Sequence, residues 1–306
     1  MRIIFMGTPT FAVPVLKALH KEHTVVAVVS QPDREKDKKG RLLPTAVKAC
    51  ALALGIPCLQ VEKVGEHVDE LKAYAPDVLI TAAFGQLLPQ TILDIASRGV
   101  LNVHASLLPL YRGSSPITAA ILAGDAQTGV TVMQTALGMD SGDILSMASC
   151  AIEKTDTTAT LTEKLSLLGA NLLCETLEKL EKGEITPTPQ DAEKATYCKK
   201  IVKSDGLLDF SLPASVLARK VCAYDPWPIA YATYNGVPLK IYEAEAVDCE
   251  KACAFGTLLV ERDALSVRCG EGALKLLTVQ LPGKKAMGAA EFLRGHRMTE
   301  GEKLNG

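Results

Sequence analysis

The sequence is poor in aromatic residues. Phe, Trp and Tyr make up 5% of its 306 positions and Trp227 is the single tryptophan, so an aromatic platform for stacking bases is not evident. It also has no strong charge of one sign. Lys and Arg number 33 against 35 Asp and Glu, a formal net charge of −2, which announces no global field for nucleic acid. Long apolar runs are missing as well. Ile3-Ile4-Phe5-Met6 stops at Gly7-Thr8-Pro9, too short for the core of a signal peptide. The stretch Ala49–Leu59 is broken by Gly55 and Pro57 and falls short of the ~18 residues a spanning helix needs. The nine cysteines contain no Cys-x-x-Cys pair, Cys249 and Cys253 being the nearest two, which argues against a disulfide framework or a zinc site. The expectation is a cytoplasmic chain with reduced thiols, no metal and no membrane segment.

What is present fits an ordinary globular protein, 48% hydrophobic and 22% charged, with length for about two domains. The first half alternates apolar runs with helical patterns. Arg2–Met6, Thr24–Val29, Val78–Ala83, Val100–Val103 and Val130–Gln134 read as strands buried on both faces. Phe11–His20, Thr45–Leu54, Val64–Tyr74, Leu88–Ala96 and Pro116–Ala123 read as the helices between them. This alternation predicts an α/β domain with a doubly wound, mostly parallel sheet.

After Asp156 the pattern changes. Thr158–Gly183 reads as one long helix, with leucines at three-to-four spacing. Glu184–Ser204 is polar, contains Pro187 and Pro189 and lacks periodicity, so it reads as a linker. A helix from Leu212 is followed by short strands at Ala230–Tyr234, Leu239–Ala244, Gly256–Val260, Ala264–Arg268 and Ala273–Val279, with Asn235-Gly236 as a hairpin turn. These predict a small β-barrel. The expected division is therefore 1–183, a linker over 184–204, and 205–306.

Chemistry is suggested at three places. The first strand ends in Gly7-Thr8-Pro9 and lacks the three glycines of a dinucleotide fingerprint. In Leu101-Asn102-Val103-His104, alternation puts Asn102 and His104 on one face at the carboxyl end of a strand. Asn supplies donors without titrating, and His exchanges a proton near neutral pH; a hydrogen-bonded His that simply finishes the strand is the alternative. The turn Gly138-Met139-Asp140-Ser141-Gly142-Asp143 either serves the backbone or brings a carboxylate to His104.

These residues carry a resemblance. Asn102-Val103-His104-Ala105-Ser106-Leu107-Leu108-Pro109, with Arg112-Gly113, Pro116-Ile117 and Met139-Asp140-Ser141-Gly142-Asp143, resembles the folate-dependent formyltransferases. Asp225-Pro226-Trp227-Pro228 and Gly283-Lys284-Lys285-Ala286-Met287 are similar to the two-domain branch of that family whose acceptor is a charged tRNA. The resemblance implies that 10-formyltetrahydrofolate donates a formyl group to the α-amino group of methionyl initiator tRNA. It implies Asn102, His104 and Asp140 as the catalytic trio. Ser106, Leu107, Leu108 and Pro109, with Phe84 and Gly85, would contact the folate, and the carboxyl-terminal barrel would be an OB-like tRNA-binding domain. A monomer is expected.

The segment Arg34–Arg41 holds Arg34, Lys36, Lys38, Lys39 and Arg41 against Glu35 and Asp37. Such a run is ordinarily a solvated loop. It follows the second strand, so it emerges at the carboxyl-end crevice, and the resemblance implies contact with the tRNA acceptor arm. Competing readings are a sugar-nucleotide formyltransferase or formyl-tetrahydrofolate hydrolase and, more distantly, a non-catalytic RNA-binding protein.

Overall fold

Continuous apolar runs can only be strands if helices cover both of their faces, and that is how the first half folds. The computed structural model describes residues Met1–Asn305. Its first sheet has seven strands: β1 (Arg2–Gly7), β2 (Thr24–Ser30), β3 (Cys58–Gln60), β4 (Val78–Ala82), β5 (Val100–His104) and, after the two-residue β6 (Arg112–Gly113), β7 (Gln127–Gln134) and β8 (Ile144–Ala151). The order is β3-β2-β1-β4-β5-β7-β8. The first five strands pair in parallel, and β7 and β8 extend the sheet antiparallel. Helices α1 (Ala12–Glu22), α2 (Ala46–Ala53), α3 (Val68–Ala73), α4 (Gln90–Leu93), α5 (Pro116–Ala123) and α6 (Thr158–Glu181) lie between and after the strands.

Ile3, Ile4, Phe5 and Met6 of β1, and Val78, Leu79 and Ile80 of β4, have no exposed surface. From β1 the chain winds outward to β2 and β3, then returns to form β4 on the other side of β1. That reversal opens a crevice outside the carboxyl ends of β1 and β4, with the end of β5 beside it. Gly7 sits at the pinch, because a Cβ there would lie 2.8 Å from Ala12 Cβ and 2.9 Å from Ala82 O.

The second sheet is antiparallel. After α7 (Ala214–Ala223) come β10 (Ala230–Tyr234), β11 (Val237–Val247), β12 (Leu258–Val260), β13 (Leu265–Arg268), β14 (Ala273–Gln280) and β15 (Met287–Gly288), then α8 (Ala289–Gly295). The order is β10-β11-β14-β13-β12, with β15 also on β14. Asn235 and Gly236 both have positive φ, +50° and +74°, as the two-residue hairpin turn requires. Register shifts between Ile241 and Ala244 interrupt the β11–β14 ladder, and such bulges bend a strand. The sheet curls around Leu217, Val221, Leu239, Ile241, Val267 and Phe292 as a small barrel-like domain.

Four features depart from the sequence reading. The edge strand β3 was not expected, since three residues are too short to carry a pattern. β8 was not expected, because its small residues alternate between exposed and half-buried positions without β-branched strength. The segment 184–204 is no bare linker. Thr188 and Ile144 exchange both backbone hydrogen bonds, at 2.8 and 2.9 Å, and β9 (Tyr197–Cys198) pairs in parallel with β6. Its order comes from backbone edges elsewhere in the chain, which leave no periodicity to read. The compact units are Met1–Ile117 with Gln127–Ala151 and Thr162–Lys199, and Thr118–Ala126 with Ile152–Leu161 and Lys200–Gly306. Two stretches of the first half thus group with the second unit, where Thr158 Oγ1 donates to Ala223 O at 2.7 Å and Ala159 N to Asp225 O at 3.2 Å.

Candidate active site

Thr81 on β4 and Asn102 on β5 are register partners, so their side chains emerge side by side on one face. Thr81 Oγ1 donates to Asn102 Oδ1 at 2.8 Å and lies 3.3 Å from Leu101 O. With its oxygen engaged, the Asn102 amide has its two N–H donors left to offer. Thr81 carried no motif signal; only the strand register reveals it.

His104 follows on the same face and is 6% exposed. Its Nε2 lies 3.1 Å from Tyr111 O, and because a carbonyl only accepts, Nε2 carries the proton there. Nδ1 lies 3.7 Å from Asp140 Oδ1. Burial pushes the imidazole below its ordinary value, while Asp140 and the Tyr111 carbonyl pull the other way. The ring is therefore neutral at pH 7, with the Nδ1 lone pair turned toward a carboxylate. A proton that reaches Nδ1 meets Asp140, and both N–H groups then have acceptors.

Asp140 is held by Gly113 N, which donates to its Oδ2 at 2.8 Å. Gln190 Nε2 donates to Asp140 O and Gly142 O at 2.8 and 2.7 Å. Gln190 Oε1 accepts from Arg112 Nε and Nη2 at 3.0 and 2.7 Å. Cys198 Sγ lies 3.5 Å from the Tyr111 and Arg112 carbonyls, and burial pushes its thiol up, so it stays protonated and packs rather than attacks. Among the described residues no group of three His, Cys, Asp or Glu side chains is placed to hold a metal ion.

The loop after β5 divides its work. Ser106 is fully buried and donates to Leu110 O at 2.6 Å. Thr131 Oγ1 donates to Ser106 O at 2.7 Å and accepts from Leu108 N at 3.1 Å. Ser106 and Leu108 thus shape the loop, while half-buried Leu107 and Pro109 retain surface. Phe84 points into the core with Ile4 and Met6. Its carbonyl accepts from Thr8 Oγ1 at 3.1 Å and Gln31 Nε2 at 3.4 Å, tying the ends of β1, β2 and β4, and Gly85 follows at φ +84°. Leu43, Leu87 and Leu110 are exposed on the loops that leave β2, β4 and β5, apolar surface suited to a flat heterocycle.

The basic loop is a self-contained turn. Asp37 accepts from Lys39 N, Arg41 N and Arg41 Nε at 2.8, 3.0 and 2.8 Å, and the Arg41 bonds hold its carboxyl below the usual range. At the base, Asp33 accepts from Lys48 Nζ, Gln60 Nε2 and Thr45 N at 2.5, 2.7 and 3.1 Å. Arg41 is therefore engaged inside the loop, whereas Arg34, Lys36, Lys38 and Lys39 are exposed and form no ion pair among the described residues.

Residues 1–177 match the family described as formyl transferase, and residues 200–297 match its carboxyl-terminal domain. The methionyl-tRNA formyltransferase of Geobacillus thermodenitrificans is 46% identical over 309 residues, covering 99% of this chain and 97% of the relative. That of Bacillus licheniformis is 46% identical over 308 residues, with 99% and 98% covered. The chain belongs to the methionyl-tRNA formyltransferase family. Among solved structures, HypX from Aquifex aeolicus, in complex with tetrahydrofolic acid, superposes with a TM-score of 0.65 at 19% identity. It covers 96% of this chain and 47% of its own, so the chain spans about half of HypX; at that identity the likeness shows the fold alone. In the described residues no helix is long and apolar enough to cross a membrane.

Proposed function

We infer that this chain transfers a formyl group from 10-formyltetrahydrofolate to the α-amino group of methionyl initiator tRNA, giving the formylated tRNA for translation initiation. The observation that carries the chemistry is the buried His104 with Nδ1 3.7 Å from Asp140, on the same strand face as Asn102, whose Oδ1 is engaged by Thr81. The acceptor is supported by relatives matched over 97% and 98% of their length that are 46% identical and bear the name methionyl-tRNA formyltransferase. The folate co-substrate supplies an activated formyl group. Exposed Leu87 and Leu110, with the remaining surface of Leu107, Pro109 and Gly85, fit its heterocycle, and Phe84 contributes through its carbonyl.

Each side chain then has one task. The Asn102 amide donates to the formyl oxygen as negative charge gathers there, the kind of donor whose loss costs ~10²–10³ in rate. His104 Nδ1 takes a proton from the attacking amine, and the imidazolium is stabilised by Asp140 and the Tyr111 carbonyl. The same Nδ1 returns the proton to the departing nitrogen as the old carbon–nitrogen bond breaks. Nε2 is committed to Tyr111 O, so we assign His104 to proton transfer and the oxyanion contact to Asn102.

The domain boundaries 1–183 and 205–306 are retained as catalytic and tRNA-binding regions, joined by the ordered segment 184–204. Arg34, Lys36, Lys38 and Lys39 are assigned to the tRNA acceptor arm, with Arg41 setting the loop's shape through Asp37. The working unit is a monomer in the cytoplasm, in keeping with a trio drawn from one chain and nine free thiols. The test offers the purified protein 10-formyltetrahydrofolate with a panel of aminoacylated tRNAs, an amino-sugar nucleotide, or water alone. Formylation confined to methionyl initiator tRNA is expected; preference for the sugar or for hydrolysis overturns the assignment.

A further inference from the structure

Asp140 stands on a loop that must run back along its own sheet. β7 ends with Gln134 opposite Leu101, three residues before His104, yet Asp140 Oδ1 lies 3.7 Å from His104 Nδ1. The 135–143 loop therefore doubles back. Asp140 pays part of that with φ +47°, a left-handed conformation uncommon outside glycine. Bonds from elsewhere must hold the loop in place, and one side chain makes two of them.

Gln190 uses its whole amide. Both Nε2 hydrogens go to the Asp140 loop, one to Asp140 O and one to Gly142 O. Oε1 accepts both Arg112 bonds. Arg112 is buried and forms no ion pair among the described residues; its other side-chain contact is Tyr197 OH at 3.4 Å. Arg112 also follows Tyr111, whose carbonyl fixes His104 Nε2. Gln190 thus ties the backbone that carries Asp140 to the backbone that orients His104. Its own position is set by Thr188, which exchanges both backbone hydrogen bonds with Ile144 at the start of β8.

We propose that Gln190 is the positioning residue of the His104–Asp140 pair, setting the separation between carboxylate and imidazole from a segment that touches neither. The proposal rests on the assignment of that pair to proton transfer. Without the amide, the loop loses two of its holds on Asp140, and His104 loses the attraction that opposes its burial. The imidazole then becomes harder to protonate, and turnover falls while the surfaces that bind folate and tRNA stay in place.

The test uses full-length Gln190→Met, of similar length without donor or acceptor groups, and Gln190→Asn, which keeps the amide on a shorter stem. Steady-state kinetics are read beside the His104 imidazole titration by NMR, assigned with His104→Gln and referenced to Asp140→Asn. For Gln190→Met, kcat should fall ~10-fold or more with KM for both substrates within ~3-fold, the mark of lost positioning rather than lost binding. The His104 midpoint should move to lower pH, as in Asp140→Asn, and the double variant should add no further shift. Gln190→Asn should lie between. A purely structural role would lower Tm and leave the midpoint unmoved. The proposal is overturned if folded Gln190→Met, or Gln190→Asn where the first does not fold, keeps the wild-type midpoint and kcat. Full activity in Asp140→Asn would instead overturn the functional assignment, and the titrations would still decide whether Gln190 sets the pair.

Discussion

The two halves of this chain fill their interiors differently. In the first unit, polar groups are buried around the strand ends: Ser30, Thr81, His104 and Ser106, with Thr131 opposite His104 and Arg112 on β6, each with a hydrogen-bond partner. Among the described residues from 200 onward, Thr257 is the one buried Ser, Thr, Asn, Gln, His or charged side chain, and the core is built of Leu, Val, Ile, Ala and Phe with Cys269 and Met298. Buried polar groups are costly and persist where they are paired, so their gathering at one strand end marks where chemistry is arranged. The stretch from 200 onward, with its mostly apolar interior, has its surface to offer a partner.

The sharpest way to break this contrast is to remove the strand-end groups. Asn102→Ala and Asp140→Asn should each lower kcat/KM at least ~10²-fold, with the fold intact by circular dichroism. Activity near normal in either variant would detach that residue from the reaction.

A second test addresses the surface unit. A chain ended after Lys199 keeps every strand of the first sheet but loses the Ala223 and Asp225 carbonyls that bond Thr158 and Ala159. At ~1 kcal/mol per lost hydrogen bond, it should melt ~4 °C or more below the full chain. KM for tRNA should rise by ~10-fold or more, because contact surface far from the reacting amine is gone. Equal melting and equal KM would mean that the residues from 200 onward neither hold the start of α6 nor bind tRNA.

How far these regions were readable in the sequence follows the same line. Asn102 and His104 stand out because period-two spacing at the end of an apolar strand places them together whatever the rest of the chain does. Asn235-Gly236 is equally local, since its turn requires positive φ at both residues. Thr81 and Gln190 were invisible. Thr81 meets Asn102 only through strand register, and Gln190 lies in a polar stretch whose partners are 50 and 78 residues away. Side chains that act by holding distant backbone leave no periodic trace, so the support of the site is harder to read than its chemical groups.

Smaller changes sharpen the account. Thr81→Val keeps the shape but leaves Asn102 Oδ1 without its donor, and should lower kcat roughly 3- to 10-fold, since a misaimed oxyanion donor is weakened rather than lost. KM for folate should hold. An unchanged kcat would mean that Asn102 is aimed by other contacts.

The mildest effect is on stability against pH. Burial holds His104 below the unfolded value, and His23 is shifted the same way by burial. A histidine kept neutral in the fold binds its proton more readily in the unfolded chain. Its contribution is intact above about pH 6.5 and is lost as pH falls from there toward the folded-state value. Tm of the wild type should therefore drop between about pH 6.5 and 5 more steeply than that of His104→Gln or His23→Gln, as scanning calorimetry would show. Parallel curves would mean that neither ring is held neutral.

The central claim, that the buried His104 moves the proton of formyl transfer, is tested most directly by one rate. It is single-turnover transfer from 10-formyltetrahydrofolate to methionyl initiator tRNA, both saturating, by full-length His104→Ala. The account predicts a rate at least ~10²-fold below wild type with tRNA affinity retained; a rate within ~3-fold of wild type would contradict it.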